Sequence, residues 1–118
     1  MDIETTHEYC TAKKGVTESF PFDNETLVFK VGNKMFALMS LERRPLSLNL
    51  KCDPERAIEL RAAHDEIQPG FHMNKKHWNT VNFEGNLSPK LLRELIDHSY
   101  DLIVASLPKK VQRELEEL

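Results

Sequence analysis

Two runs of strand-forming residues, "TLVFKV" and "KMFALM", flank Gly32-Asn33, and this connection restricts the fold more than any other feature of the chain. A hairpin closed by two residues needs positive φ at its turn, which Gly and Asn tolerate, and the turn fixes the pairing of both strands. It predicts Val31 opposite Lys34, Phe29 opposite Phe36, and Leu27 opposite Leu38. Because side chains alternate along a strand, Leu27, Phe29, Phe36 and Leu38 are expected on one apolar face and Val28, Lys30, Met35 and Ala37 on the other. The next stretch, "PLSLNLK", alternates cleanly, with Leu46, Leu48 and Leu50 inward and Ser47, Asn49 and Lys51 outward. That pattern indicates an antiparallel sheet with one covered face and one partly wet face.

Helix signals surround these strands. Thr5 and Glu8 have capping-box spacing, which predicts a first helix from about Thr5 with Gly15 as its stop. Asp53 before Pro54, and Ser88 before Pro89, each place a capping oxygen ahead of a residue preset for the first turn. The helix after Asp53 is expected to reach about His64. In the helix after Ser88, Leu92, Leu95, Ile96 and Ile103 share a face up to Pro108, and Val111, Leu115 and Leu118 mark a short terminal helix. Between them "HWNTVNFEGN" reads as a strand in which Val81 and Phe83 alternate with Trp78, Thr80 and Asn82. Strand runs segregated from helix runs predict a two-layer α+β fold: an antiparallel sheet with helices covering one face, an N-terminal helix and a C-terminal helical pair. A length of 118 residues suits one domain, residues 1–118.

Composition narrows the function classes. The chain is 40% hydrophobic and 30% charged, and no apolar run approaches the ~20 residues of a membrane span, so no membrane partner is expected. The acidic start, "MDIETTHEYC", lacks the basic and apolar regions of a signal peptide, and a cytoplasmic location is the expectation. Cys10 and Cys52 are expected as small buried hydrophobes in place of a disulfide or metal pair. The net charge of −3 is uneven: Val28 to Lys51 holds five basic residues and one acid, and Ile67 to Phe83 holds two lysines and no acid. An acidic helical layer and a basic sheet are the expectation, with room for a local anion-binding face.

One stretch concentrates binding chemistry: "PGFHMNKKHWN", Pro69 to Asn79. His72 and His77 are five residues apart, which does not match the helical spacing of a zinc pair, and no metal is expected. The chain has no nucleophile elbow and no glycine-rich phosphate cradle, so neither a catalytic residue nor a cofactor is expected. Lysines attract phosphates, Asn and His hydrogen-bond phosphates or base edges, and an aromatic ring stacks or wedges. The same residues also suit a solvated loop around a tryptophan packed in the core.

"YCTAKKGVTESFPF", "LVFKVGNKMFAL", "LNLKCDPERAIELR" and above all "PGFHMNKKHWNTV" resemble the MmcQ/YjbR family of small bacterial proteins, in register from Tyr9 to about Leu107. The resemblance implies a frataxin-like or secretion-chaperone-like α+β fold and DNA binding through a double-wing arrangement. Its signature polar cluster falls on His72, Asn74, Lys75, Lys76, His77, Trp78 and Asn79, with Lys30 and Lys51 as signature lysines on strands. The expectation is a noncatalytic DNA-binding protein using the basic sheet face and the Gly70–Asn79 loop. A protein-interaction module on the exposed sheet face is the alternative, and a small-ligand-binding protein or enzyme the third.

Overall fold

The computed structural model describes all 118 residues. Helix α1 spans Ile3–Thr11, and strands β1 to β4 follow at Val16–Ser19, Thr26–Val31, Lys34–Ser40 and Ser47–Lys51. Helix α2 spans Pro54–Ala63, strands β5 and β6 span Ile67–Pro69 and Trp78–Asn82, and helices α3 and α4 span Pro89–Ala105 and Lys109–Glu116. Asp53 and Ser88 cap α2 and α3 as their spacing predicts, accepting from the amides of Arg56 and Leu91. The first helix begins earlier than Thr5, because Asp2 supplies the cap: its carboxylate accepts the Thr5 amide at 2.7 Å. No helix is long and apolar enough to cross a membrane.

The six strands form one antiparallel sheet in the order β1-β2-β3-β4-β6-β5. Strand β1 has no counterpart among the sequence expectations; it is short and largely exposed, so apolar alternation is missing. One face of the sheet packs on α3, whose buried residues are Leu92, Leu95, Ile96, Ser99 and Ile103. Leu46, Leu48 and Leu50 meet this layer as expected, and both cysteines are buried and unpaired. Helix α1 is tied to α3 through Asp97, which accepts from the Tyr9 hydroxyl at 2.7 Å and pairs with Lys13 at 2.5 Å. The Lys13 ammonium also lies 5.2 Å and 5.0 Å from the ring centroids of Tyr9 and Tyr100.

The hairpin departs from the simple register. Val31 pairs with Lys34 as the turn requires, and Lys30 with Met35, but Phe29 pairs with Ala37. Phe36 is therefore an extra residue, a β-bulge, and beyond it the alternation is inverted. Phe36, Ala37 and Met39 belong to the core, whereas Leu38 turns to the open face, the reverse of the expectation for Ala37 and Leu38. The physical reason lies on α3. The Ser99 hydroxyl, fully buried, donates to the Phe36 carbonyl at 2.5 Å and accepts the Lys51 amide at 2.9 Å, satisfying backbone groups that the bulge and the end of β4 leave outside the ladder. Ser99→Ala would strip both groups of their partner in a dry layer. We expect it to lower unfolding free energy by about 2–4 kcal/mol, read by urea denaturation.

His98 joins α3 to the start of α2. Its Nε2 accepts the Asp53 amide at 3.1 Å, which requires that nitrogen to be unprotonated. Burial and the Arg56 guanidinium push its pKa down, while Asp53 and Asp101 oppose the shift. A histidine whose folded pKa is depressed binds protons more readily when the chain is unfolded, so stability is complete above the ordinary value of about 6.5 and falls as pH drops toward the folded value. Denaturation midpoints are expected to fall from about pH 7 to about pH 5, and His98→Gln should flatten that dependence. An identical slope in the variant would remove His98 from this role.

Candidate functional site

Opposite α3, the sheet carries no helix, and its open face holds a groove of about 730 Å³, within the size range of ligand clefts. The bulge supplies part of its floor by turning Leu38 outward beside Met35. Ser47 and Asn49 of β4 and Thr80 of β6 continue the floor with polar groups. Two connections form the walls: Phe22 comes from the β1–β2 segment, and Phe71, His72 and Met73 from the β5–β6 segment. Phe22 and Phe71 remain 64% and 46% exposed, so the groove presents aromatic surface to solvent instead of closing over it. Asp23, Glu25, Glu42 and Arg43 complete the lining.

The β5–β6 connection is held in place from within. Gly70 is buried, its amide donates to the Trp78 carbonyl at 2.9 Å, and a Cβ there would lie 2.8 Å from Trp78 Cβ and 2.9 Å from that carbonyl oxygen; only glycine permits this approach. Both backbone groups of Phe71 are then clamped to the sheet. Its amide donates to Thr80 Oγ1 at 2.8 Å, Thr80 donates to Asn49 Oδ1 at 2.5 Å, and Asn49 Nδ2 donates to the Phe71 carbonyl at 3.1 Å. His72 follows with φ +60°, a left-handed conformation uncommon outside glycine, and its ring centroid lies 4.1 Å from that of Phe71. On the same ring, the Arg43 guanidinium carbon stands 4.6 Å from the centroid, within cation–π range.

This geometry redistributes the residues that the sequence singles out. Asn74 closes the loop: its carbonyl accepts the amides of His77 and Trp78, and its side chain accepts the Lys76 amide. Lys75 donates its ammonium to the Gly70 carbonyl at 2.8 Å, and its own carbonyl accepts from Arg61. His77 is half-buried, with its carbonyl accepting the Cys52 amide. Trp78, also half-buried, stands opposite Lys51 across the β4–β6 ladder. Lys30 lies on β2 opposite Met35, and Lys76 is exposed. Asn79 leaves the candidate surface: it is 2% exposed, and neither side-chain polar atom has a hydrogen-bond partner. Strand alternation explains this, since Trp78 and Thr80 on the open face place Asn79 toward the core. Of the nine residues in the expected site, only His72 lines the groove.

The groove also recruits residues that the sequence reading passes over, chiefly Phe22, Arg43 and Phe71. Phe20 and Phe22 did carry a signal: two aromatics around Pro21 in a polar connection have no strand or helix to carry them into a core, and both are exposed. Asn49, Thr80 and Phe71 come together only through strand pairing. Thr80→Val, isosteric but without the hydroxyl, is expected to cost about 1–3 kcal/mol and to speed hydrogen exchange at the Phe71 amide. Unchanged exchange there would show that the clamp does not hold the wall.

The YjbR family model matches residues 11–102. The uncharacterized protein YbdF of Escherichia coli O157:H7 is 40% identical over 119 residues, covering 96% of both chains. YjbR of Escherichia coli K12 is 36% identical with full coverage of both. Among solved structures, Deinococcus radiodurans protein DR2400, a domain of the family called DUF419, superposes with a TM-score of 0.91 at 44% identity, covering 97% of this chain and 87% of that one. A Pseudomonas syringae protein gives 0.76 at 28% identity, over 86% of this chain and 98% of its own. With a family model spanning most of its length and full-length relatives at this identity, the chain belongs to the YjbR family.

Proposed function

We propose that the chain is a noncatalytic binding domain that takes a protein segment in the groove on the open face of its sheet. The observation that carries this reading is the groove's construction: an apolar floor at Met35 and Leu38, exposed aromatic walls at Phe22 and Phe71, and a polar clamp that holds one wall rigid. Contiguous apolar surface rimmed by polar groups is characteristic of interaction sites. A binding role also fits the placement of reactive groups. The two thiols are buried outside the groove, and burial pushes Cys10 up to about 12, far from the thiolate form. The only imidazole of the groove is that of His72, packed at a tilt against Phe71.

DNA binding is the second reading, favoured by one observation. Lys51 and Trp78 are cross-strand neighbours at one end of the sheet, with Lys76 exposed on the adjoining loop. Three carboxylates line the groove itself, a poor setting for phosphate there, and the Lys75 ammonium is engaged with Gly70. With Lys30, Lys51 and Lys76 as the free cations, duplex binding would have a salt slope of at most about 2.7.

One pair of titrations separates the readings. Nile red, an uncharged apolar probe, is expected to brighten saturably with the wild-type protein and to lose that response in Phe22→Ser/Phe71→Ser, both at exposed positions. Short duplex DNA at low salt should leave Trp78 emission and labelled-DNA anisotropy unchanged. A saturable, salt-sensitive change in both DNA readouts, with no Nile red response, would replace the groove by the lysine-flanked tryptophan as the working surface.

A further inference from the structure

The charges of the groove define its partner more narrowly, on the reading that the groove is the binding site. We propose that the segment it takes is basic, a peptide stretch that sets a lysine or arginine beside an apolar side chain. Asp23, Glu25 and Glu42 face the groove together with a single guanidinium, that of Arg43. The side-chain contacts between basic and acidic residues, Lys13–Asp97 and the His7–Glu18 hydrogen bond, involve no groove residue. Glu25 and Glu42 are exposed, and neither has an ion-pair partner.

Asp23 contributes differently. Its carboxylate accepts the amides of Glu25 and Thr26 at 2.9 Å and 2.7 Å, and these bonds hold its pKa below the ordinary carboxylate range. It stays ionised and adds to the field, but its oxygens are engaged by the turn. Direct contact with a partner cation therefore falls to Glu25 and Glu42.

The groove already shows how it receives a cation. Arg43 lies over the Phe71 ring at 4.6 Å, the geometry in which an aromatic face attracts a guanidinium. A basic segment can reproduce that contact while its apolar side chain covers Leu38 and Met35. An acidic segment meets three carboxylates, and a neutral one gains the apolar floor alone. For two exposed charge pairs the preference for a basic over a neutral peptide should be about three- to tenfold, shrinking as salt rises.

The test is an amide-resolved NMR titration of the whole chain at low salt with three blocked peptides, Lys-Phe-Leu-Lys, Ser-Phe-Leu-Ser and Glu-Phe-Leu-Glu. The basic peptide is expected to bind tightest and to shift the amides of Glu25, Glu42 and Phe71. Its advantage should vanish in Glu25→Gln/Glu42→Gln, while the neutral peptide binds that variant unchanged. Arg43→Ala removes a competing cation from the ring and should tighten the basic peptide by about two- to fivefold. Acidic-peptide binding as tight as basic overturns the basic class and leaves the groove standing as a site. Groove amides unmoved by all three peptides overturn the groove itself, and this proposal with it.

Discussion

The Ser99 hydroxyl ties α3 to two backbone groups of the sheet that the ladder leaves unpaired. From the buried face of α3 it reaches the Phe36 carbonyl at the bulge and the Lys51 amide at the end of β4. A bulge exposes backbone groups that ladder bonds would otherwise satisfy, and in a dry layer such groups need another partner. Ser99 is that partner, and the consequence appears on the opposite side of the sheet. With the bulge in place, Ala37 and Met39 enter the core and Leu38 goes out to form the floor of the groove. Without it, regular alternation would return Leu38 to the core and put Ala37 outside. One helix side chain therefore shapes a surface that it never touches.

The Pro69–Asn79 stretch has a structural task that accounts for most of its composition. Pro69 ends the edge strand, Gly70 allows the chain to pass against Trp78, Asn74 closes the turn, and Lys75 secures it from outside. Such a loop positions Phe71 and His72 as a groove wall without any of its lysines facing the groove. Gly70, Asn74 and Lys75 of this stretch thus scaffold an aromatic wall.

Local signals carried much of the fold into the sequence. The Gly32-Asn33 turn, the Asp53-Pro54 and Ser88-Pro89 starts, and the alternation through Leu46, Leu48 and Leu50 each depend on a few adjacent residues, and each appears in the structure as expected. The bulge was hidden because its stabilising contact comes from a residue 63 positions away. Strand β1 was hidden because an exposed edge strand has no buried face to impose a pattern. The inward position of Asn79 is legible in the alternation from Trp78, whereas the family resemblance assigns it to the polar surface. The groove itself was the least visible part, since Phe22 and Phe71 belong to connections that meet only after β1, β2, β5 and β6 are assembled.

An open sheet face with an apolar floor is a hazard as well as a tool, because a second copy of the chain offers the same surface. A two-fold contact through the groove would bring the carboxylates of both copies into one interface with only two guanidiniums, and that excess of like charge opposes association. The sheet edges are guarded by other means. Strand β5 is three residues long and ends in Pro69, which has no amide to donate, and β1 is four residues long with Glu18 among them. The carboxylates that suit a basic segment thus also discourage self-pairing. On the proposed reading, preference for a basic segment and resistance to self-association follow from one charge arrangement, and neutralising it should weaken both together.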